Sequence, residues 1–219
     1  MSRFFIDAHH ADESGLVHIG GKLTPDWLLD AYTHGIFPWP FPDPFQRKRS
    51  ILAWFSPDPR CIFEFERFHV PRRLERTCKS GRFRITLNTD FSGVIRGCAE
   101  RHGRNEMWIT PEMIEAYVEF HRLGYAHSVE AWSGNDLAGG VYGVGIGGLF
   151  AAESMFFRCP NASKVALVAL MRHLKERDYK LVDIQIKTEH TARFGAFEIP
   201  RSEYLRRLQL ALRHTPKPF

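Results

Sequence analysis

Long apolar runs are missing from this chain: no stretch approaches the roughly 18 residues of a membrane-spanning helix, so no membrane partner is expected. The N-terminus lacks a basic segment followed by an apolar one, so no signal peptide is expected and the cytoplasm is the expected location. Cysteine is scarce. Cys61, Cys78, Cys98 and Cys159 are scattered without ligand-pair spacing, which speaks for reduced thiols and against structural zinc. His127, Glu130, Asp183 and His190 show no metal-ligand spacing either. Glycines crowd residues 139–148, yet neither the Walker nor the dinucleotide arrangement fits, because no helix opens where phosphates would need one. Bends, close strand contacts and pocket space explain those glycines better.

What is present suits a globular chain of one large or two modest domains in 219 residues. The formal charge of +5 is compatible with a polyanionic partner and equally with ordinary solubility. Placement is more telling. Arg47, Lys48 and Arg49 form one basic cluster, and Arg72, Arg73, Arg76, Lys79, Arg82 and Arg84 a second, each a solvated face or a phosphate track.

A helix is expected after Thr24-Pro25, with Trp27, Leu28, Ala31 and Tyr32 as its apolar stripe and Gly35 as its stop. GIFPWPFPDPF (35–45) is too rich in proline for helix or central strand and reads as a rigid loop. Residues 51–60 give a short strand and a turn, and a boundary near 62 separates a small N-terminal α/β domain (1–62) from a larger one (63–219). Helices are expected over 71–81, over 91–100 and from Thr110-Pro111, with a strand over 83–89. Segments 126–132, 137–146 and 149–156 read as an antiparallel meander. An amphipathic helix (161–178), a strand (180–186) and a last helix (201–213) follow. The order predicts an α+β fold with a mixed, largely antiparallel sheet, compatible with an acyltransferase-like arrangement.

GGLFAAESMFFRCPNASK (147–164) poses the chemical question, because Glu153 stands among apolar neighbours and an unpaired buried carboxylate costs several kcal/mol. Alternation places Leu149, Ala151, Glu153 and Met155 on one strand face, and Leu181, Asp183 and Gln185 on one face of the later strand. Two carboxylates and an amide beside small residues suit acyl transfer to an amine. One carboxylate can hold a cationic group, and a second can take or relay the proton. An amide can orient the nucleophile or polarise an oxygen. A wet face without function is the bland alternative. Trp39, Trp54 and Trp108, each near proline or a strand end, are packing residues or base-stacking platforms. Asn161 and Ser163 are expected to cap their helix. Lys164 lies in its first turn, against the macrodipole, which hints at an anion.

IGGKLTPDWLLDAYTHGIFPW (19–39), WFSPDPR (54–60), WIT (108–110), HSVEAW (127–132), GGVYGV (139–144), ESMF (153–156), NASK (161–164), LVDIQ (181–185) and HTARFGAFEIPR (190–201) occur in an order that closely resembles the leucyl/phenylalanyl-tRNA–protein transferase family. The resemblance implies a bacterial enzyme with an N-acetyltransferase-like C-terminal domain and no cofactor or metal. It implies transfer of leucine or phenylalanine, less readily methionine, from aminoacyl-tRNA to proteins with N-terminal Arg or Lys, which marks them for degradation. A monomer is the default expectation. On the matching positions, Asp183 with Gln185 would promote the amine's attack, and Glu153 would place the basic acceptor. Ser154, Met155 and Phe156 would shape the aminoacyl and acceptor region, with Trp39 and Trp108 near the terminal adenosine. Arg47, Lys48, Arg49, Arg72 and Arg73 are the candidate tRNA-backbone contacts. Lys22, Ala152 and Phe157 depart from the family's usual residues, the last two beside the expected pocket. Two other readings are an acetyl-CoA-dependent N-acetyltransferase, whose glycine-rich cradle is absent from FFRCPNASK, and a non-catalytic RNA-binding module, which leaves Glu153, Asp183 and Gln185 without a role.

Overall fold

The computed structural model describes residues 2–43, 45, 50–101 and 109–219. The chain opens with strand β1 (Leu16–Ile19) and helix α1 (Pro25–Thr33), followed by the short strands β2 (Phe37–Pro38), β3 (Phe41–Pro42), β4 (Ser50–Ile51) and β5 (Ala53–Phe55). Next come β6 (Arg60–Phe63), α2 (Arg72–Lys79), β7 (Arg84–Leu87), α3 (Phe91–Arg101) and α4 (Pro111–Arg122). The expected meander follows as β8 (Ala126–Ser133), β9 (Asp136–Ile146) and β10 (Leu149–Phe157). The chain ends with α5 (Ala162–Glu176), β11 (Leu181–Gln185), α6 (Glu189–Ala192), β12 (Phe197–Ile199) and α7 (Arg201–Leu212). No described helix is long and apolar enough to cross a membrane.

β1, β5 and β2 make a small sheet, while a seven-stranded sheet runs β12-β6-β11-β10-β9-β8-β7. All its pairings are antiparallel except β10 with β11, which α5 connects. The fold is therefore α+β with a mixed, largely antiparallel sheet, as the order of elements predicts. One apolar cluster packs α1, α3, α4 and α7 against one sheet face through Leu28, Val94, Tyr117 and Leu208. A second packs α5 and α2 on the other face through Leu167, Leu170, Leu174 and Leu74.

Two irregularities shape the middle of the sheet. β10 pairs with β11 only at Leu149–Leu181, Phe150–Val182 and Ala151–Asp183, after which the strands separate. Immediately beyond, the register of β10 shifts against β9 between Ala152 and Ser154, and that of β11 shifts against β6 between Asp183 and Gln185. Such bulges bend a strand and reset the alternation of its side chains. Met155 therefore packs with the α5 cluster, and Phe156 joins Leu149 and Ala151 in the other, contrary to the simple period-two expectation.

Capping is mixed. Thr110 caps α4 by accepting the Met113 amide, as a Thr-Pro start suggests. Thr24 and Asn161 make no side-chain cap bond, and Asn161 takes a left-handed conformation at φ 73°. The expected Asn161 cap is thus replaced by a sharp backbone reversal into α5. Trp54 is core, its indole N–H donating to the Gly20 carbonyl at 2.9 Å.

Candidate active site

The parting strands frame a cavity of about 350 Å³. Glu153, Ser154, Met155, Gln185 and Trp39 all line it, the indole at its rim being 36% exposed. Phe63, Val141, Leu167 and Ile184 supply apolar wall, together with Ala152, one of the departures from the family pattern. The sequence-predicted site thus converges, with exceptions. Phe156 is buried on the opposite sheet face, against Gly97 of α3, where a Cβ would lie 2.6 Å from its ring. Trp108 and the Arg47, Lys48 and Arg49 cluster lie outside the described residues. Arg72 and Arg73 are exposed on α2 and do not line this cavity.

Glu153 is answered by neutral donors. The Gln185 side-chain amide donates to its Oε1 at 3.0 Å, and the Tyr117 hydroxyl to its Oε2 at 3.4 Å. Tyr117 in turn bonds the Tyr32 hydroxyl. Burial, and less strongly the charge of Asp183, push the Glu153 carboxyl up to about 8, while the hydroxyls of Tyr32 and Tyr117 and the charge of Arg60 pull the other way. The linkage has a definite sign. Between the unfolded value and about 8 the folded chain holds a proton that the unfolded chain has lost, so this stabilisation is complete at low pH and disappears as pH rises through 8. Unfolding the unliganded protein should therefore take less urea at pH 8 than at pH 5.5 through this group. Glu153→Gln, which stays neutral throughout, should flatten that slope in paired urea titrations; an unchanged slope would dismiss Glu153 as its source.

Asp183 is a different kind of residue. It and Arg60 are each 1% exposed at the side chain. Arg60 Nε donates to Asp183 Oδ1 at 2.9 Å and Nη2 to Oδ2 at 2.6 Å, the two-pronged geometry that suits guanidinium and carboxylate. Tyr204 of α7 donates to Oδ2 at 2.8 Å, and the Gln185 backbone N–H to Oδ1 at 3.0 Å. The guanidinium lies over the rings of both Tyr204 and Phe37, at 4.3 and 4.9 Å. Burial is the largest single influence and opposes the Arg60 charge, but Asp183, Tyr204 and Glu153 together outweigh it and raise its pKa above the ordinary value. Arg60 Nη1 also donates to the Gly35 carbonyl at 2.9 Å. Gly35 has φ +76°, and a Cβ there would lie 2.5 Å from Leu205, so glycine is required.

Asp183 thus does not line the cavity, and the expectation that both carboxylates face one cleft holds only for Glu153. What Asp183 holds is the residue two places on. Gln185 has φ 57°, an uncommon conformation for a side chain of its size, and its amide N–H is anchored on Asp183. Arg60, Tyr32, Tyr117 and His190 take part in or border this arrangement without having been singled out for it. A charge at the head of the apolar run RCIF was the available signal for Arg60, while Tyr32 read simply as helix stripe and Tyr117 fell within the helix expected after Thr110-Pro111.

Comparison with known proteins agrees with this frame. The family described as "Leucyl/phenylalanyl-tRNA protein transferase" matches residues 62–209, and its N-terminal domain matches residues 21–58. A leucyl/phenylalanyl-tRNA–protein transferase of Anaeromyxobacter sp. (strain Fw109-5) is 51% identical over 95% of this chain and 87% of its own length. The transferase of Solidesulfovibrio magneticus is 49% identical over 94% of this chain and 82% of its own. That of Magnetococcus marinus is 47% identical over 95% and 88%. The chain therefore belongs to the leucyl/phenylalanyl-tRNA–protein transferase family and is an aminoacyltransferase.

Proposed function

We propose that the cavity between β10 and β11 joins leucine or phenylalanine, carried as an ester on the 3′ adenosine of tRNA, to the α-amine of a protein beginning with Arg or Lys. The observation that carries this reading is the meeting of Glu153 and Gln185 at 3.0 Å on an otherwise largely apolar wall. The apolar wall suits the donor side chain, which it selects by size and shape, each methylene being worth about 1–3 kcal/mol. Glu153 receives the acceptor's guanidinium or ammonium group. The Gln185 Nε2 is committed to Glu153, which leaves Oε1 as the acceptor for an N–H of the attacking amine. A carbon–nitrogen bond forms, the ester carbon–oxygen bond breaks, and the amine's proton leaves as the ribose oxygen regains one. The ester is already activated, so alignment and electrostatics are what the protein supplies. Asp183 serves this step indirectly, by fixing Gln185. A cytoplasmic setting, where charged tRNA is found, is part of the proposal.

The test is an assay with charged tRNA and a labelled Arg-initiated peptide, without CoA or ATP. Gln185→Ala should lower kcat about 100-fold, as misplacement of a nucleophile that a side chain had aligned does, with tRNA affinity held within about twofold. Unchanged turnover, or an equal fall in affinity and turnover, would refute the assignment. No transfer by the parent protein would refute the reaction.

A further inference from the structure

A second cavity, of about 440 Å³, adjoins the first. It is lined by Arg73 of α2, Lys164 in the first turn of α5 and Arg193 just after α6, over the buried rings and chains of Phe194 and Leu74. His190 lines both cavities. We infer that this basic cavity is the seat of the backbone phosphate on the 5′ side of the donor's terminal adenosine, with Lys164, Arg193 and Arg73 as its cations. The inference rests on the reading of the first cavity as the aminoacyl-ester site.

Charge is the first argument. Three elements bring three cations to one concavity, and among the described residues none of the three is paired with a carboxylate. Neighbours on the same two helices are treated differently: Lys79 and Arg172 both pair with Glu75, at 3.0 and 2.6 Å. Convergent like charges raise each other's energy unless an anion joins them, so leaving these three unneutralised preserves a positive field. Lys164 adds to that cost, since a cation in a first helical turn opposes the macrodipole. Asn161, which immediately precedes α5, caps none of its amides with its side chain. An anion here would meet the side-chain cations beside the start of α5.

Position is the second argument. A 5′ phosphate and an acylated 3′ oxygen are the two ends of one nucleotide, and here two suitable cavities share His190 in their walls. Trp39, at the rim of the first cavity, offers an aromatic face to the base. A phosphate contact of this kind positions a donor without reading its sequence, which suits an enzyme that accepts more than one tRNA.

The experiment compares two minimal donors with the same Arg-initiated peptide: phenylalanyl-adenosine, which has no phosphate, and phenylalanyl-cytidylyl-adenosine, which has one. In the parent protein kcat/KM should favour the dinucleotide at least about tenfold, and that preference should weaken as salt rises. In the Lys164→Ala, Arg193→Ala double variant the ratio should collapse towards one, and in Lys164→Arg it should persist. Thermal unfolding of each variant separates a lost contact from a lost fold. A ratio that survives in the folded double variant, or a parent ratio near one, overturns the inference. Failure of both donors with the parent would instead strike at the reading of the first cavity.

Discussion

Replacing Arg60 with methionine should cost about 3–5 kcal/mol of folding stability, the usual consequence of stranding one half of a buried ion pair. Asp183 would keep its bonds from Tyr204 and the Gln185 amide, yet lose its only described cation, in a site closed to water. The loss would also release Gly35, and with it the start of the chain segment that carries Trp39 into the cavity. Urea unfolding of Arg60→Met, Asp183→Asn and the double variant gives the coupling between the two sites. The double variant should lie closer to the parent than Arg60→Met does, because no carboxylate is then abandoned. A single variant within about 1 kcal/mol of the parent would show that the pair is dispensable.

Glu153→Gln should produce the largest effect on acceptor choice. A hydrogen bond to a charged group contributes roughly 1.5–3 kcal/mol, so kcat/KM for an Arg-initiated peptide should fall about 10- to 150-fold. Donor KM should change little, and discrimination against peptides with a neutral first residue should largely vanish. Acidity strengthens the test. With its pKa pushed up to about 8, Glu153 is mostly neutral at pH 6, and a guanidinium arriving there must displace its proton. The ratio of acceptor KM in the variant to that in the parent should therefore rise as pH is raised from 6 to 8. Titration of the peptide's own amine, whose ordinary pKa is about 8, remains visible in both. Retained preference for Arg-initiated peptides in Glu153→Gln would remove Glu153 from acceptor recognition.

The sequence made the architecture legible where periodicity was clean. The meander, α5 and the strand at LVDIQ stand where alternation and helical spacing put them, and the clustering of Glu153, Ser154, Met155, Gln185 and Trp39 came with the family resemblance. What escaped was whatever depends on a broken period or on distant partners. One extra residue in β10 moved Met155 and Phe156 to unexpected faces, and one in β11 left Asp183 on the buried Leu181 face while Ile184 and Gln185 both reached the cavity. No alternation rule locates a bulge in advance. The partner of Asp183 lies 123 residues away in sequence, in a strand whose other residues are all apolar, so no local pattern announces it. The Glu153–Tyr117 contact likewise joins a strand to a helix that read as ordinary core.

The short ladder between β10 and β11 has one more consequence. Because the opening comes from main chains diverging after Ala151 and Asp183, the seat exists before any wall residue is chosen. Ala152, Met155 and Leu167 can then be exchanged to trim or widen it while the frame stays intact. On the proposed assignment of this cavity to the donor side chain, the choice of amino acid can be retuned without inventing a new place to hold it.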